Sequence, residues 1–121
     1  MKYLLLVHHN EEAFNKIPAD RRKEMLAESI QLCHQLDAQN QYIHASPLQP
    51  EATGTVVRVR DGKPMVTDGP FIETKEQLAG YFLIDAKDRD EAISIAARVP
   101  GARIGTVEAR PVVEITGLPN E

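Results

Sequence analysis

The chain has 121 residues and a mass of 13.5 kDa, which predicts one domain with a modest hydrophobic core. Its formal net charge of −4 argues against a nucleic-acid partner, because phosphate binding requires a face rich in Lys and Arg. The lone Cys33 excludes an internal disulfide and a cysteine-rich zinc site. No apolar run approaches the about 20 residues of a membrane helix, and the first residues lack a signal-peptide cleavage site. We expect a small, soluble, cytoplasmic domain.

The first half of the chain begins with a strand and a long helix. Residues 2–8 are apolar at both alternating sets of positions, which predicts a strand covered on both faces. Pro18 suits a first helical turn, and an apolar stripe then predicts a helix from Pro18 to Gln39. The stripe consists of Met25, Leu26, Ile30, Cys33 and Leu36. Cys33 is therefore most simply a core residue.

A hairpin and a third buried strand follow. Residues 42–45 are expected to be extended, and Thr55–Arg60 alternates in the manner of a strand. Asp61-Gly62 is a strong two-residue turn signal, and Lys63–Thr67 forms the return strand, where the proline indicates an edge or a short strand. Ala79–Asp85 is again apolar on both faces.

The second half ends with a helix and a strand. Asp88 and Glu91 resemble a capping box, and the helix that they begin is stopped by Pro100-Gly101. Thr106–Ile115 is predicted to be the last strand. The predicted domain therefore covers residues 1–115, and residues 116–121 form a frayed tail.

The order of these elements predicts an α+β fold. Two β-α-β halves give a ferredoxin-like β-α-β-β-α-β sheet, with an extra hairpin strand between them. Two helices cover only one face of such a sheet, yet two of the strands are apolar on both faces. A second copy of the chain would cover the other face, so we expect a homodimer.

Charged side chains that interrupt strands are the first candidates for ligand binding. Arg58 and Arg60 share one face of a strand, and Glu108 and Arg110 share one face of the last strand. In a Glu108–Arg ion pair each charge would neutralise the other, whereas a free Arg would bind a small acidic ligand, most naturally through a carboxylate. Solvated positions at strand ends or edges are the alternative.

The loop between residues 67 and 76 offers carboxylates. Gly69 and Pro70 give it stiffness, which could position Asp68 or Glu73 over a cleft as an acid or base. The alternative, which the local chemistry favours, is a shaped corner with Phe71 in the core. Lys75 then belongs to a solvated patch.

The histidines give no metal-binding pattern. His8 and His9 point to opposite faces, and His34 lies about 100° from Cys33 on the helix. His44 has no second metal ligand in register with it. As possible bases, His44 and Asp68 are weak catalytic candidates. No zinc, dinucleotide or phosphate-loop motif occurs, so neither a metal nor another cofactor is expected.

Two segments carry a resemblance to a known family. The run from Val57 to Lys63 and the run from Val66 to Tyr81, with Asp-Gly-Pro-Phe at residues 68–71, resemble the DGPF-motif branch of the YCII-related proteins. The first residues and Glu108–Val112 are also similar to that branch. The resemblance implies a dimeric α/β barrel. Some bacterial relatives occur beside extracytoplasmic-function sigma factors, which implies a regulatory or sensing role and a possible sigma-factor partner.

The wider group includes a dehydrochlorinase whose cleft holds a His–Asp pair, and this chain departs from that pattern. The early helix offers Arg21 and Arg22 where the group has its His, and Val99-Pro100-Gly101 contains no Asp before the last strand. The catalytic pair is therefore not transferred to this chain.

The leading hypothesis is a homodimeric small-molecule-binding domain. Its ligand-binding candidates are Arg58, Asp68, Glu73, Glu108 and Arg110. A cofactor-free lyase or isomerase acting on a cyclic or aromatic acid is the second hypothesis, and a protein-interaction module is the third.

Overall fold

The computed structural model describes residues 1–119, and these contain six strands and three helices. The order is β1 (Lys2–His9), α1 (Glu11–Asn15), α2 (Ala19–Ala38), β2 (Tyr42–Pro47), β3 (Thr55–Arg60), β4 (Lys63–Asp68), β5 (Gln77–Asp85), α3 (Arg89–Ala96) and β6 (Thr106–Pro111).

Four of the strands form one antiparallel sheet in the order β2-β5-β1-β6. The first strand is therefore central, and both of its neighbours, β5 and β6, come from the second half of the chain. This is the expected ferredoxin-like α+β arrangement, with α2 and α3 as the crossovers. The hairpin β3–β4 forms a separate two-stranded sheet.

The two faces of the four-stranded sheet differ in burial. Tyr3, Leu5 and Val7 of β1 are at most 9% exposed and pack with α2 and α3, as alternation predicts. Leu4 and Leu6 lie on the opposite face, which we call the open face, and they are only half-buried. Part of the expectation is thus confirmed: the helices cover one face, and apolar side chains remain on the other.

The long helix buries a different stripe from the predicted one. Its buried residues are Met25, Leu32 and Leu36, whereas Leu26 and Ile30 are 50% and 51% exposed. The stripe that the sequence shows is wider than the contact with the sheet, and Leu26 and Ile30 lie beside a pocket instead.

The hairpin matches its sequence signals. Asp61 and Gly62 have φ values of +52° and +74°, the left-handed pair that a tight two-residue turn requires. The Gly69 N–H donates to the Gly54 carbonyl at 2.8 Å and closes the base of the hairpin. One face of the hairpin carries Val57, Val59, Pro64 and Val66, and the other carries Arg58, Arg60, Lys63 and Met65.

Three local predictions are corrected. The last strand ends at Pro111 rather than Ile115, because its partner β1 begins at Lys2, whose carbonyl accepts from the Val112 N–H. A 3-10 turn occupies Pro100–Arg103 where only a helix stop was expected. Helix α1 was not predicted, although Asn10 caps it by accepting from the Ala13 N–H. The predicted tail at residues 116–121 extends beyond the described residues, which end at 119.

Candidate ligand pocket

A pocket of about 600 Å³ lies between α2 and the sheet, at the end where β1 finishes and β5 begins. This volume falls in the range typical of small-molecule sites. Its walls are largely apolar and include Met25, Leu26, Ile30, Leu48 and Phe82. Leu26, Ile30 and Leu48 are between 46% and 51% exposed, so the pocket opens to solvent past aliphatic side chains.

Arg22 is the principal cation of the pocket wall. Its Nε is buried and has no hydrogen-bond partner in the described part of the chain. Within residues 1–119 no carboxylate lies at ion-pair distance from it either. The guanidinium carbon lies 5.9 Å from the centroid of the Phe14 ring, which holds the side chain by a cation–π contact. A buried donor without a partner costs free energy, so this site favours an external acceptor.

His9 completes the polar side of the pocket. Its ring stacks on Phe14 with centroids 4.3 Å apart and planes 20° apart. Burial lowers the pKa of His9 below its usual value of 6.5, against the opposing influence of Glu11 and Glu76. The imidazole is therefore neutral near pH 7, able to donate from one nitrogen and accept at the other.

Cys33 lies on the pocket wall and packs against the core as a half-buried side chain. Burial raises the pKa of its thiol, which keeps it protonated and uncharged at neutral pH. The expectation of a core residue is met in part, because one side of Cys33 faces the pocket rather than other side chains.

The carboxylate of Glu11 also borders the pocket, but it is already engaged. Both of its oxygens accept from the Glu51 N–H, at 3.1 and 3.3 Å. The Glu11 N–H in turn donates to the Gln77 side chain at 2.9 Å. Helix α1 is thus tied to two neighbouring segments, and the position of Phe14 follows from these contacts.

The sequence-predicted residues of the hairpin and its following loop lie outside this pocket. Arg58 and Asp68 are exposed on the hairpin, and Glu73 is exposed in the loop. Phe71 is 70% exposed, so the corner with Phe71 in the core is wrong. This loop follows the two-stranded hairpin, whose strands pair with no strand of the four-stranded sheet.

Glu108 and Arg110 come together on the open face. Arg110 donates to one Glu108 oxygen from Nη2 at 2.7 Å and from Nε at 3.2 Å. His8 Nε2 lies 4.0 Å from the other Glu108 oxygen. Across the sheet, His44 Nδ1 and the Tyr81 hydroxyl are 2.8 Å apart. These two polar clusters flank Leu4, Leu6 and Leu83.

Sequence reasoning missed Arg22 and His9 as pocket residues, although part of the signal was present. Arg22 precedes Met25, Ser29 and Cys33 by three, seven and eleven residues, which places all four on one side of α2. A cation within an apolar helix face is the feature that could have indicated a binding site.

Residues 1–119 contain no group of three or more His, Cys, Asp or Glu side chains arranged to hold a metal ion. No helix among them has the length and apolarity required to span a membrane.

Comparison with known families identifies the chain. The family model of the YCII-related domain matches residues 1–116. The chain belongs to the YCII-related family. The matched range contains every strand from β1 to β6, the hairpin β3–β4 included.

This YCII-related chain is also similar to an uncharacterized protein of Rhizobium meliloti strain 1021. The two are 39% identical over 82 residues, which cover 61% of this chain and 66% of that protein. The aligned part thus spans just under two thirds of the relative.

Proposed function

We propose that this YCII-related protein is a homodimeric cytoplasmic domain that binds a small molecule in the pocket between α2 and the sheet. The observation that carries the proposal is the pocket itself, about 600 Å³ of largely apolar wall with the unpartnered Arg22 Nε at one side. Few polar groups on an apolar wall are typical of small-molecule sites. A regulatory role beside a sigma factor, as the resemblance to the DGPF branch implies, would use the bound molecule as its signal.

A thermal-shift screen of metabolites tests this proposal. A ligand present at about 100 times its Kd stabilises the protein by about 2.7 kcal/mol, and the shift in Tm is readily measured. Ser29→Phe should fill the pocket and abolish the shift, because Ser29 lines it. Gln31→Phe, on the exposed side of the same helix, is the matched control and should retain the shift. A shift that survives Ser29→Phe would place binding elsewhere.

Arg58→Ala and Arg110→Ala belong in the same screen. Both residues are exposed, so neither change should alter folding much. A ligand lost in Arg58→Ala but retained in Ser29→Phe would move the site to the hairpin. The opposite result would assign it to the pocket.

The dimer is proposed to form through the open face. Support comes from its half-buried Leu4, Leu6 and Leu83, since a two-fold axis would bring the same apolar patch of both copies together. Leu6→Arg should produce a monomer in sedimentation velocity at micromolar concentration. Ile93→Arg, on an exposed position of α3, should remain a dimer. A wild-type chain that sediments as a folded monomer would contradict the dimer.

A cofactor-free lyase or isomerase is the second candidate, and His9 favours it. A neutral imidazole beside the pocket is a possible general base. Turnover of a pocket ligand that is lost in His9→Gln, with binding retained, would support the enzyme. Binding without turnover would support the binding domain.

The exposed apolar side chains of the hairpin favour an interaction module as the third candidate. A screen without hits, together with capture of a purified sigma factor that Val57→Asp abolishes, would support this reading.

A further inference from the structure

The ligand class follows from the shape and charge of the pocket, and this inference rests on the proposed function of that site. We propose that the pocket binds an amphipathic carboxylate with an unbranched aliphatic body, whose carboxylate contacts Arg22 and whose hydrocarbon chain lies along α2. Shape, charge and wall composition each support this assignment.

The lining of the pocket extends along most of α2. Its wall follows α2 from Ala19 to Cys33, a rise of about 21 Å at 1.5 Å per residue. The opposite wall runs along β2 and β5 and reaches the turn at Pro100 and Ile104. A groove that accompanies four turns of helix suits an extended chain better than a compact ring.

The charge of the pocket is positive at the end where α2 begins. Arg22 and Lys23 lie there, and neither forms an ion pair within residues 1–119. The first turn of a 20-residue helix adds the positive end of its dipole. Glu11 is the carboxylate on this wall, and its two oxygens already accept from a backbone N–H. A carboxylate would give the buried Nε of Arg22 the acceptor that it lacks.

Beyond Arg22, the part of the wall formed by α2 and the turn at Ile104 is largely aliphatic. Met25, Leu26, Ile30 and Ile104 supply it, together with the uncharged thiol of Cys33. His9 and Phe14 stack on each other beside Arg22, and Phe82 of β5 adds an apolar ring on the sheet side of the wall. The hydrocarbon therefore meets side chains without hydrogen-bonding demands, and each buried methylene should strengthen binding.

Protection of Cys33 provides the assay, because this single cysteine lies on the pocket wall. Alkylation by iodoacetamide at pH 8.5 is followed by mass spectrometry with hexanoate, octanoate, decanoate, 1-decanol or 1-naphthoate present. Affinity should rise about fourfold per methylene from hexanoate to decanoate, the equivalent of ~0.8 kcal/mol for each CH₂. Decanoate should bind at least tenfold more tightly than 1-decanol.

Variants of two adjacent arginines test whether the charge of Arg22 contributes to carboxylate binding. Arg22→Gln should weaken decanoate at least tenfold, whereas Arg21→Gln should not, because Arg21 is exposed and pairs with Glu24. Arg22→Lys keeps the positive charge but lacks the planar guanidinium, so it should bind decanoate with intermediate affinity. This variant replaces Arg22→Gln in the test if Arg22→Gln fails to fold.

Each outcome decides between the ligand class and the site. Equal protection by 1-decanol and decanoate, tighter binding of 1-naphthoate, or an unchanged affinity in Arg22→Gln would overturn the ligand class and leave the pocket standing. Failure of every compound in the wider metabolite screen to protect Cys33 would instead overturn the proposed function.

Discussion

Gly80 of β5 lies close to the Ser46 and Pro47 backbone of β2 and also lines the pocket, so a single added methyl group tests fold and site together. A Cβ at this position would lie 2.9 Å from the Ser46 carbonyl oxygen and 3.1 Å from the Pro47 Cα. Both neighbours are backbone atoms, so the strand rather than a side chain must move. Gly80→Ala should therefore displace β2 and the pocket wall that continues from it at Leu48.

The expected loss of stability in Gly80→Ala can be converted into a change in Tm. Overpacking of this kind costs about 1–3 kcal/mol. Unfolding entropy of about 2.1 cal/mol/K per residue gives roughly 0.25 kcal/mol/K for 121 residues, so 1 kcal/mol corresponds to about 4 °C in Tm. The expected loss is about 4–12 °C, and the displaced wall should also weaken any pocket ligand.

Gly54→Ala is the matched control. Its Cβ would meet the Glu51 carbonyl oxygen at 3.2 Å, and its φ of −76° suits alanine. This change should stay within about 1 kcal/mol of wild type, because reduced freedom of the unfolded chain offsets the milder contact. Differential scanning fluorimetry with a pocket ligand present and absent measures both quantities. Equal Tm values for the two variants would refute the close-approach argument.

Other perturbations have equally direct readouts. Asp88→Ala should cost about 1 kcal/mol in urea unfolding, because Asp88 accepts from the Glu91 N–H at 2.9 Å, and Asp88→Asn should lose much less; equal losses would contradict the capping role. The imidazole of His9 should titrate below pH 6.5 by NMR, because burial lowers its pKa in the folded state. Its contribution to the free energy of unfolding is therefore present above pH 6.5 and declines as the pH falls. A titration midpoint above 6.5 would contradict burial as the cause. Leu36→Ala should lower the free energy of unfolding by about 2–5 kcal/mol because Leu36 is 1% exposed, and Leu26→Ala should cost less because Leu26 is half-exposed. Equal losses for the two variants would show that burial does not determine the cost.

Most of the fold could be predicted because its signals are local. The continuous apolar runs of β1 and β5, the Asp61-Gly62 turn and the Asp88 cap each indicate backbone geometry within a few residues. The end of β6 could not, since it depends on where β1 starts, more than 100 residues away. The short α1 is one and a half turns long, too brief for a periodic pattern to appear.

The pocket was harder to predict than the fold. Arg22 and His9 lie on different elements, and their meeting depends on how α1 places Phe14 between them. Strand-borne charges such as Arg58 are conspicuous in the sequence because they interrupt an apolar pattern. A charge within a helix face is less conspicuous, since a helix ordinarily carries charges on its solvent side.

The isolated hairpin has a consequence for the solubility of the chain. In a two-stranded sheet both strands are edge strands, and such edges are templates for pairing with a strand of another molecule. Pro64 offers no N–H to such a partner, and Arg58, Arg60 and Lys63 place like charges on one face. Two hairpins brought edge to edge would repel each other, so this segment resists strand-to-strand aggregation despite its exposed valines.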